Sequence, residues 1–324
     1  MSVRADLCVV VLSYRNEATI LRALESLLDQ NVPLEIAVSH SGGGTTPSLL
    51  GPYLDRIDLI ESRSRRLPGA ARNAGIEATQ APWVAFLAAD CIALPGWAAG
   101  RLERHCRGFP AVASAMALPV STKAAGASYL LQHSSRMPHL DPGARYHHGL
   151  SYSRNLLERY GPFAENLRQG EDTLLNRRLI AAQIPIAWAP DVLTAHDYPT
   201  TAASLLADCW RRGRRRAELF RAPQDRIRLL AQVGLEGPLA LSRCARPGSP
   251  MRVRDGLASV PLLVAGEVTT MLGVLRGRPT EGLTSAATNP VESDHLYILP
   301  PPASTTPGSG TESGLRASQH NNSQ

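Results

Sequence analysis

The stretch "WVAFLAADCIALPGW", residues 83–97, decides how the chain is read. It opens as an apolar run, breaks on a single acid at Asp90, and turns at Pro95-Gly96. A short apolar run bounded by turn residues predicts a buried strand. A strand that carries one carboxylate to its end fits an α/β sheet, because ligands of such sheets sit beyond the carboxyl edges of the strands. Asp90 is therefore a candidate site residue.

Working outward, the same pattern repeats. "LCVVVLSY" predicts a first buried strand and "ATILRALESLLDQ" a helix, with Ile20, Leu21, Leu24, Leu27 and Leu28 at helical spacing. "LEIAVSH" and "RIDLIES" predict further strands, and "PGAARNAGIEAT" a helix with Pro68 near its start. The alternation predicts an α/β fold with a mostly parallel central sheet covered by helices. After Trp97, "AVASAMALPV" reads as a strand, "GASYLLQHSSRM" as a helix, "ARYHHGLSYS" as a His-rich loop, "GEDTLLNRRLIAAQ" as a helix and "IPIAWAP" as a short strand. The region from Thr201, with eight arginines between Arg211 and Arg228, reads as basic helix, and the apolar stretch near 256–275 is interrupted by Pro261 and Glu267. Three regions follow: a catalytic-type domain at 1–222, a C-terminal helical and membrane-interfacial segment at 223–278, and a disordered polar tail at 279–324.

The 324 residues are ample for a core, and the formal net charge of +6 favours an acidic partner: nucleic acid, an anionic membrane or a phosphorylated substrate. The arginine run lacks interleaved aromatics, which disfavours nucleic acid. The five cysteines are scattered with no C-x-x-C pair, which argues against a disulfide framework or zinc site and for a reducing cytosol. The apolar run at Leu7 to Leu12 is too short for a signal-peptide core, and no stretch reaches the roughly 18 apolar residues of a spanning helix. A cytoplasmic protein, peripheral on the inner face of the plasma membrane, is expected.

In "GEDTLLNRR", Glu171 and Asp172 follow a glycine at the start of a helix. Acids there cap the helix and meet the positive end of its dipole; alternatively, one caps while its neighbour faces a cleft as a general base. The triglycine Gly42 to Gly44 reads as a turn or as a backbone nest for phosphate.

Taken together, "VVVLSYRNEATILRALESLLDQ", "LPGAARNAGIEATQAPWVAFLAADCIALPGW" and "LSYSRNLLERYGPFAENLRQGEDTLLNRRLIAAQIPIAWAPDVLTAH" resemble family 2 glycosyltransferases, inverting enzymes with the nucleotide-sugar-binding fold called GT-A. The resemblance implies a nucleotide-sugar donor, a glycan or lipid-linked acceptor, a Mg²⁺ or Mn²⁺ ion, and a role in cell-envelope or extracellular polysaccharide synthesis. It places Asp90 on the last acid of the family's Asp-x-Asp metal motif, whose first acid falls at Ala88. It places Asp172 as the base that takes the acceptor proton and Glu171 beside it as catalytic support, orienting the acceptor or capping the helix. Donor contacts are implied at Ser13, Tyr14, Asn16 and Glu17 after the first strand, at Ser39 and His40 after the second, and at Arg72, Asn73 and Asp90. Arg212 in "RRGRRR" resembles a basic element that contacts diphosphate or lies near membrane. His196 in "LTAHDY" resembles a late histidine that approaches the metal, although a lone histidine after a strand is also an ordinary structural residue. His147 and His148 fall where acceptor loops occur. Ala88 and the non-acidic Ser39 to Ser41 motivate a second reading, a catalytically weakened sugar-nucleotide-binding or scaffold protein of the same fold.

Overall fold

The computed structural model describes residues 5–118, 122–141, 149–218 and 223–278. His147, His148 and the tail at 279–324 lie outside the described residues. An eight-stranded sheet runs β3-β2-β1-β4-β7-β6-β8-β5. Its strands are β1 (Leu7–Tyr14), β2 (Leu34–Ser41), β3 (Asp58–Ser62), β4 (Trp83–Ala88), β5 (Cys91–Ala93), β6 (Ala111–Met116), β7 (Ser151–Ser153) and β8 (Ile186–His196). The half from β3 to β4 is parallel throughout, as is the β6–β8 pair, whereas β7 runs antiparallel to β4 and β6, and β5 antiparallel to β8. The sheet is thus more mixed than the sequence suggests. β5 and β7 are three residues each, too short to leave a periodic signature.

Leu7 to Val11 of β1 are all fully buried, as expected of a parallel strand covered on both faces. On one face Leu7, Val9 and Val11 pack with Ile20, Ala23, Leu24 and Leu27 of α1 (Ile20–Leu28) and with Trp97 and Ala98 of α4 (Trp97–Cys106). On the other, Cys8 and Val10 join Phe86, Tyr152 and Phe163 beneath the helices α6 (Arg154–Tyr160) and α7 (Glu171–Ala181). The helix α3 (Pro68–Glu77) lies on this second face, so close that a Cβ at Gly75 would stand 2.2 Å from Val10 Cγ1. The short α2 (Thr46–Leu50) follows the triglycine, whose three residues all have positive φ. That backbone requirement accounts for Gly42 to Gly44.

A second core joins α5 (Lys123–His133), α8 (Ala202–Ala217), α9 (Pro223–Cys244) and α11 (Val260–Arg276), and the short α10 (Val253–Ala258) packs against α9 and α5. The basic run is not a single surface: Gly213 inside it is buried, and a Cβ there would stand 2.1 Å from the Thr270 carbonyl oxygen of α11. Glu267 interrupts the apolar α11 because it accepts the Gly237 N–H of α9 at 2.6 Å, beside Pro238. Residues 219–222, where the sequence places a boundary, lie outside the described residues, and α8 and α9 on either side of them share the cluster of Ala217, Leu229, Val233 and Val274. No helix among the described residues is long and apolar enough to cross a membrane.

Candidate active site

A cavity of about 430 Å³ opens at the strand ends, and Asp90, Asp172, His196 and Arg72 all line it. The two acids, distant in sequence, therefore face one crevice. β4 stays paired with β1 as far as Leu12↔Ala88, and Ala89 N–H donates to Leu12 O at 3.0 Å. The chain then turns, so Asp90 sits in the turn before β5 rather than in the strand expected to carry it.

The antiparallel pairing of β5 with β8 sets Cys91 opposite His196, and Asp197 N–H donates to Asp90 O at 2.9 Å. His196 Nε2 consequently stands 3.7 Å from Asp90 Oδ2. Cys91 Sγ lies in the same group, 3.7 Å from Asp90 Oδ1. Burial pushes the Cys91 thiol well above its ordinary range, so it stays protonated and offers a hard cation no thiolate. His196 Nδ1 is buried with no hydrogen-bond partner among the described residues. A carboxylate and an imidazole edge that converge at an open cavity, with 40% of the Asp90 side chain exposed, suit a divalent ion that takes its remaining ligands from phosphate oxygens or water. Tyr198 packs on His196 with ring centroids 4.7 Å apart and meets His133 Nδ1 through its hydroxyl at 2.8 Å, which fixes the imidazole plane.

Glu171 and Asp172 divide their roles. Glu171 is 4% exposed and forms a 3.1 Å ion pair with Arg72 Nε. Burial pushes its carboxyl up from the ordinary range while Arg72 pulls it back. The Arg72 guanidinium lies 4.7 Å from the Phe86 ring centroid and 5.3 Å from that of Phe163, and Glu171 and Asp172 hold it charged against its burial. Asp172 borders the cavity and accepts the Thr173 N–H through Oδ1 at 2.7 Å.

Helix α3 seats this pair. Asn73 is buried and clamps the incoming chain, accepting Phe163 N–H at 3.0 Å and donating to Phe163 O at 3.0 Å and Glu165 Oε1 at 2.9 Å. One turn earlier, a Cβ at Gly69 would stand 2.0 Å from the Ala164 carbonyl oxygen. Gly69→Ala is therefore expected to lift the 163–172 segment from α3, costing about 1–3 kcal/mol; chemical denaturation measures the loss.

The other expected donor contacts are dispersed. Ser39 and His40 are buried, and His40 spends both ring nitrogens inside the protein, on Ser13 Oγ at 3.1 Å and Gly43 O at 3.0 Å. Ser13 is buried with them, so none of the three presents a side chain to a ligand here. Asn16 Oδ1 accepts Tyr14 N–H at 2.9 Å, Arg65 lies over the Tyr14 ring at 4.6 Å, and Glu17 backs the glycine turn, its Oε1 filling the place of a Gly44 Cβ. Arg212 does not line the cavity; it pairs with Asp208 at 2.9 Å, and Asp208 accepts from the cavity residue Gln132 at 3.4 Å. Ala88 lines the cavity, so a methyl stands where the resemblance has an acid. The sequence reading missed Arg101, Gln132, His133 and Arg136 in the wall. Arg101 left one signal: it shares the buried stripe of Trp97, Ala98 and His105.

Residues 8–161 match the family model described as Glycosyl transferase family 2. The chain is 30% identical over 215 residues, 61% of its length, to the pre-mycofactocin glycosyltransferase of Mycobacterium tuberculosis, and 38% identical over 102 residues, 31% of its length, to the succinoglycan biosynthesis protein ExoO of Rhizobium meliloti. These matches span 44% and 29% of the relatives' own lengths. Among solved structures, the mannosyltransferase PcManGT of Pyrobaculum calidifontis, in complex with GDP-Man and Mn²⁺, superposes with a TM-score of 0.54 at 19% identity, covering 85% of this chain and 88% of that one. The sheet thus has the GT-A fold of that glycosyltransferase, and residues 8–161, just under half of the chain, carry the similarity to glycosyl transferase family 2.

Proposed function

We propose that the protein transfers a sugar from a nucleotide-diphosphate donor to a hydroxyl acceptor with inversion at the anomeric carbon. The observation that carries this reading is the placement of Asp90, His196 and Asp172 on one cavity. The acceptor oxygen forms its bond to the anomeric carbon as Asp172 takes its proton, and the bond from that carbon to the donor phosphate breaks on the opposite face, releasing a nucleoside diphosphate. Only one base is needed, because the leaving group is already a stabilised anion. Asp90 and His196 are the residues that would hold Mg²⁺ or Mn²⁺, and such an ion offsets charge developing on a departing diphosphate. Arg72 and Glu171 position Asp172 by fixing the first turn of α7. Incubation with UDP- and GDP-sugars and a panel of sugar acceptors, followed by NMR of the product anomer, tests the proposal. Inverted product supports it; nucleotide binding without turnover for every pair favours the scaffold reading that Ala88 motivates.

The acceptor is proposed to be a glycan or lipid-linked saccharide of the cell envelope, reached from the cytoplasmic membrane face. Val264, Val268, Leu272 and Leu275 repeat along α11 at helical spacing, each about half exposed, and Leu235 and Leu257 are exposed on α9 and α10. With the arginines of α8, such a face suits an anionic lipid surface. In flotation with anionic vesicles the full chain is expected to rise with the lipid, and Val268→Asp to remain below; a wild-type chain that stays at the bottom refutes membrane attachment.

A further inference from the structure

Two arginines in the cavity wall have no part in the mechanism above. Arg101 reaches in from α4 and Arg136 from the 3-10 turn Ser134–Arg136, and both line the cavity. They converge on Ser114 of β6: Arg101 Nη2 donates to its Oγ at 2.7 Å, and Arg136 Nε and Nη2 donate to its carbonyl oxygen at 3.1 and 2.9 Å. Arg101 is 1% exposed and Arg136 7%. Among the described residues neither has a carboxylate within ion-pair distance.

Two buried cations side by side without a paired carboxylate are costly, and Asp172, on the same cavity, offsets the charge of Arg136 only from beyond ion-pair distance. Burial, and then the charge of Arg136, lower Arg101 to about 9, and burial lowers Arg136 as well. Donors are also left over. Arg101 Nε–H is buried without an acceptor, and Arg136 Nη1 has no acceptor among the described residues. Gly149, at φ +64°, lets the Arg136 guanidinium lie against its backbone: a Cβ there would stand 2.7 Å from Arg136 Nη2 and 3.2 Å from Nη1. An Arg136 Nη1 without an acceptor among the described residues at the cavity wall, a second guanidinium behind it and no carboxylate at ion-pair distance describe a seat for a carboxylate or phosphate, which matches a guanidinium fork.

We propose that Arg136, backed by Arg101, is an anion subsite for the acceptor, so that the protein glycosylates a sugar carrying a carboxylate or phosphate. This rests on the glycosyl-transfer reading above. The acceptor rather than the donor is assigned because Ser114 and Gly149 lie at β6 and just before β7, in the antiparallel part of the sheet, whereas a nucleotide belongs beyond the parallel edges of β1, β2 and β4. An acidic group held on Arg136 leaves the rest of the sugar in the cavity that Asp172 borders.

Calorimetric titration of the full chain with glucuronate, glucose 6-phosphate and glucose, at constant ionic strength and without donor, tests the subsite and separates the two anion sources. One or both acidic sugars are expected to bind at least tenfold more tightly than glucose. Arg136→Gln is expected to lose that preference, Arg136→Lys to keep part of it, and both to bind nucleoside diphosphate with Mn²⁺ as the wild type does. Equal affinity for the three sugars, or wild-type preference in Arg136→Gln, overturns the subsite. A wild type that prefers the acidic sugars but turns over no nucleotide-sugar defeats glycosyl transfer and leaves the anion seat standing. Turnover onto neutral acceptors alone does the reverse.

Discussion

Asp172→Asn is expected to reduce turnover by about 10²–10⁴-fold, the contribution typical of a general base, while leaving nucleoside diphosphate affinity within a factor of about two. The amide keeps the size of the carboxylate and the Oδ1 acceptor that receives Thr173 N–H, so the first turn of α7 stays formed. What it loses is the capacity to take a proton from the acceptor hydroxyl. Asp90→Ala is the informative contrast, because Asp90 lines the cavity beside His196 and is proposed to act on the donor side: nucleotide binding itself should weaken, and its dependence on Mn²⁺ should fade. Steady-state kinetics paired with calorimetry of nucleotide binding separates these outcomes. Wild-type turnover in Asp172→Asn removes the base assignment.

Arg72→Met is expected to destabilise the protein by about 3–5 kcal/mol, since it leaves the Glu171 carboxylate buried without its cation. The magnitude follows from the lost partner rather than from the pair's net worth. Adding Glu171→Gln to Arg72→Met should therefore recover a large part of the loss, although neither change restores the pair. Urea denaturation of the wild type, the two single variants and the double variant measures the coupling. Activity should fall in Arg72→Met even at temperatures where the protein remains folded, because the Arg72–Glu171 pair sets the first turn of α7 that carries Asp172. A double variant as unstable as Arg72→Met alone would mean that the Phe86 and Phe163 contacts of Arg72, rather than its charge, hold the helix.

Much of the fold was legible in the chain because local pattern and tertiary role coincide there. β1 is apolar on both faces as a covered parallel strand must be, and α1 carries one apolar stripe that the sheet then buries. The lining of the cavity was legible where an acid interrupts a pattern, as Asp90 does after β4 and Asp172 at the start of α7. It was misread where a side chain's type did not reveal its direction. His40 and Asn73 are polar residues in segments that resemble donor contacts, yet both are buried and spend their hydrogen bonds inside the protein. Arg136 belongs to a segment that reads as ordinary helix, Arg101 follows the turn at Pro95-Gly96, and nothing local says that both guanidiniums converge on Ser114.

The sequence by itself determined the alternation of strands and helices, the resemblance to family 2 glycosyltransferases, and two candidate carboxylates, because these depend on periodicity and on which residue types stand at element ends. Only the tertiary structure decided that β5 pairs antiparallel to β8 and so carries His196 to Asp90, that Glu171 turns inward to Arg72 while Asp172 borders the cavity, and that two arginines share its wall. These arrangements depend on contacts between residues as much as 106 positions apart, from Asp90 to His196. Such contacts are fixed by how the sheet closes and which helix packs on which face, and no local pattern of side chains encodes them.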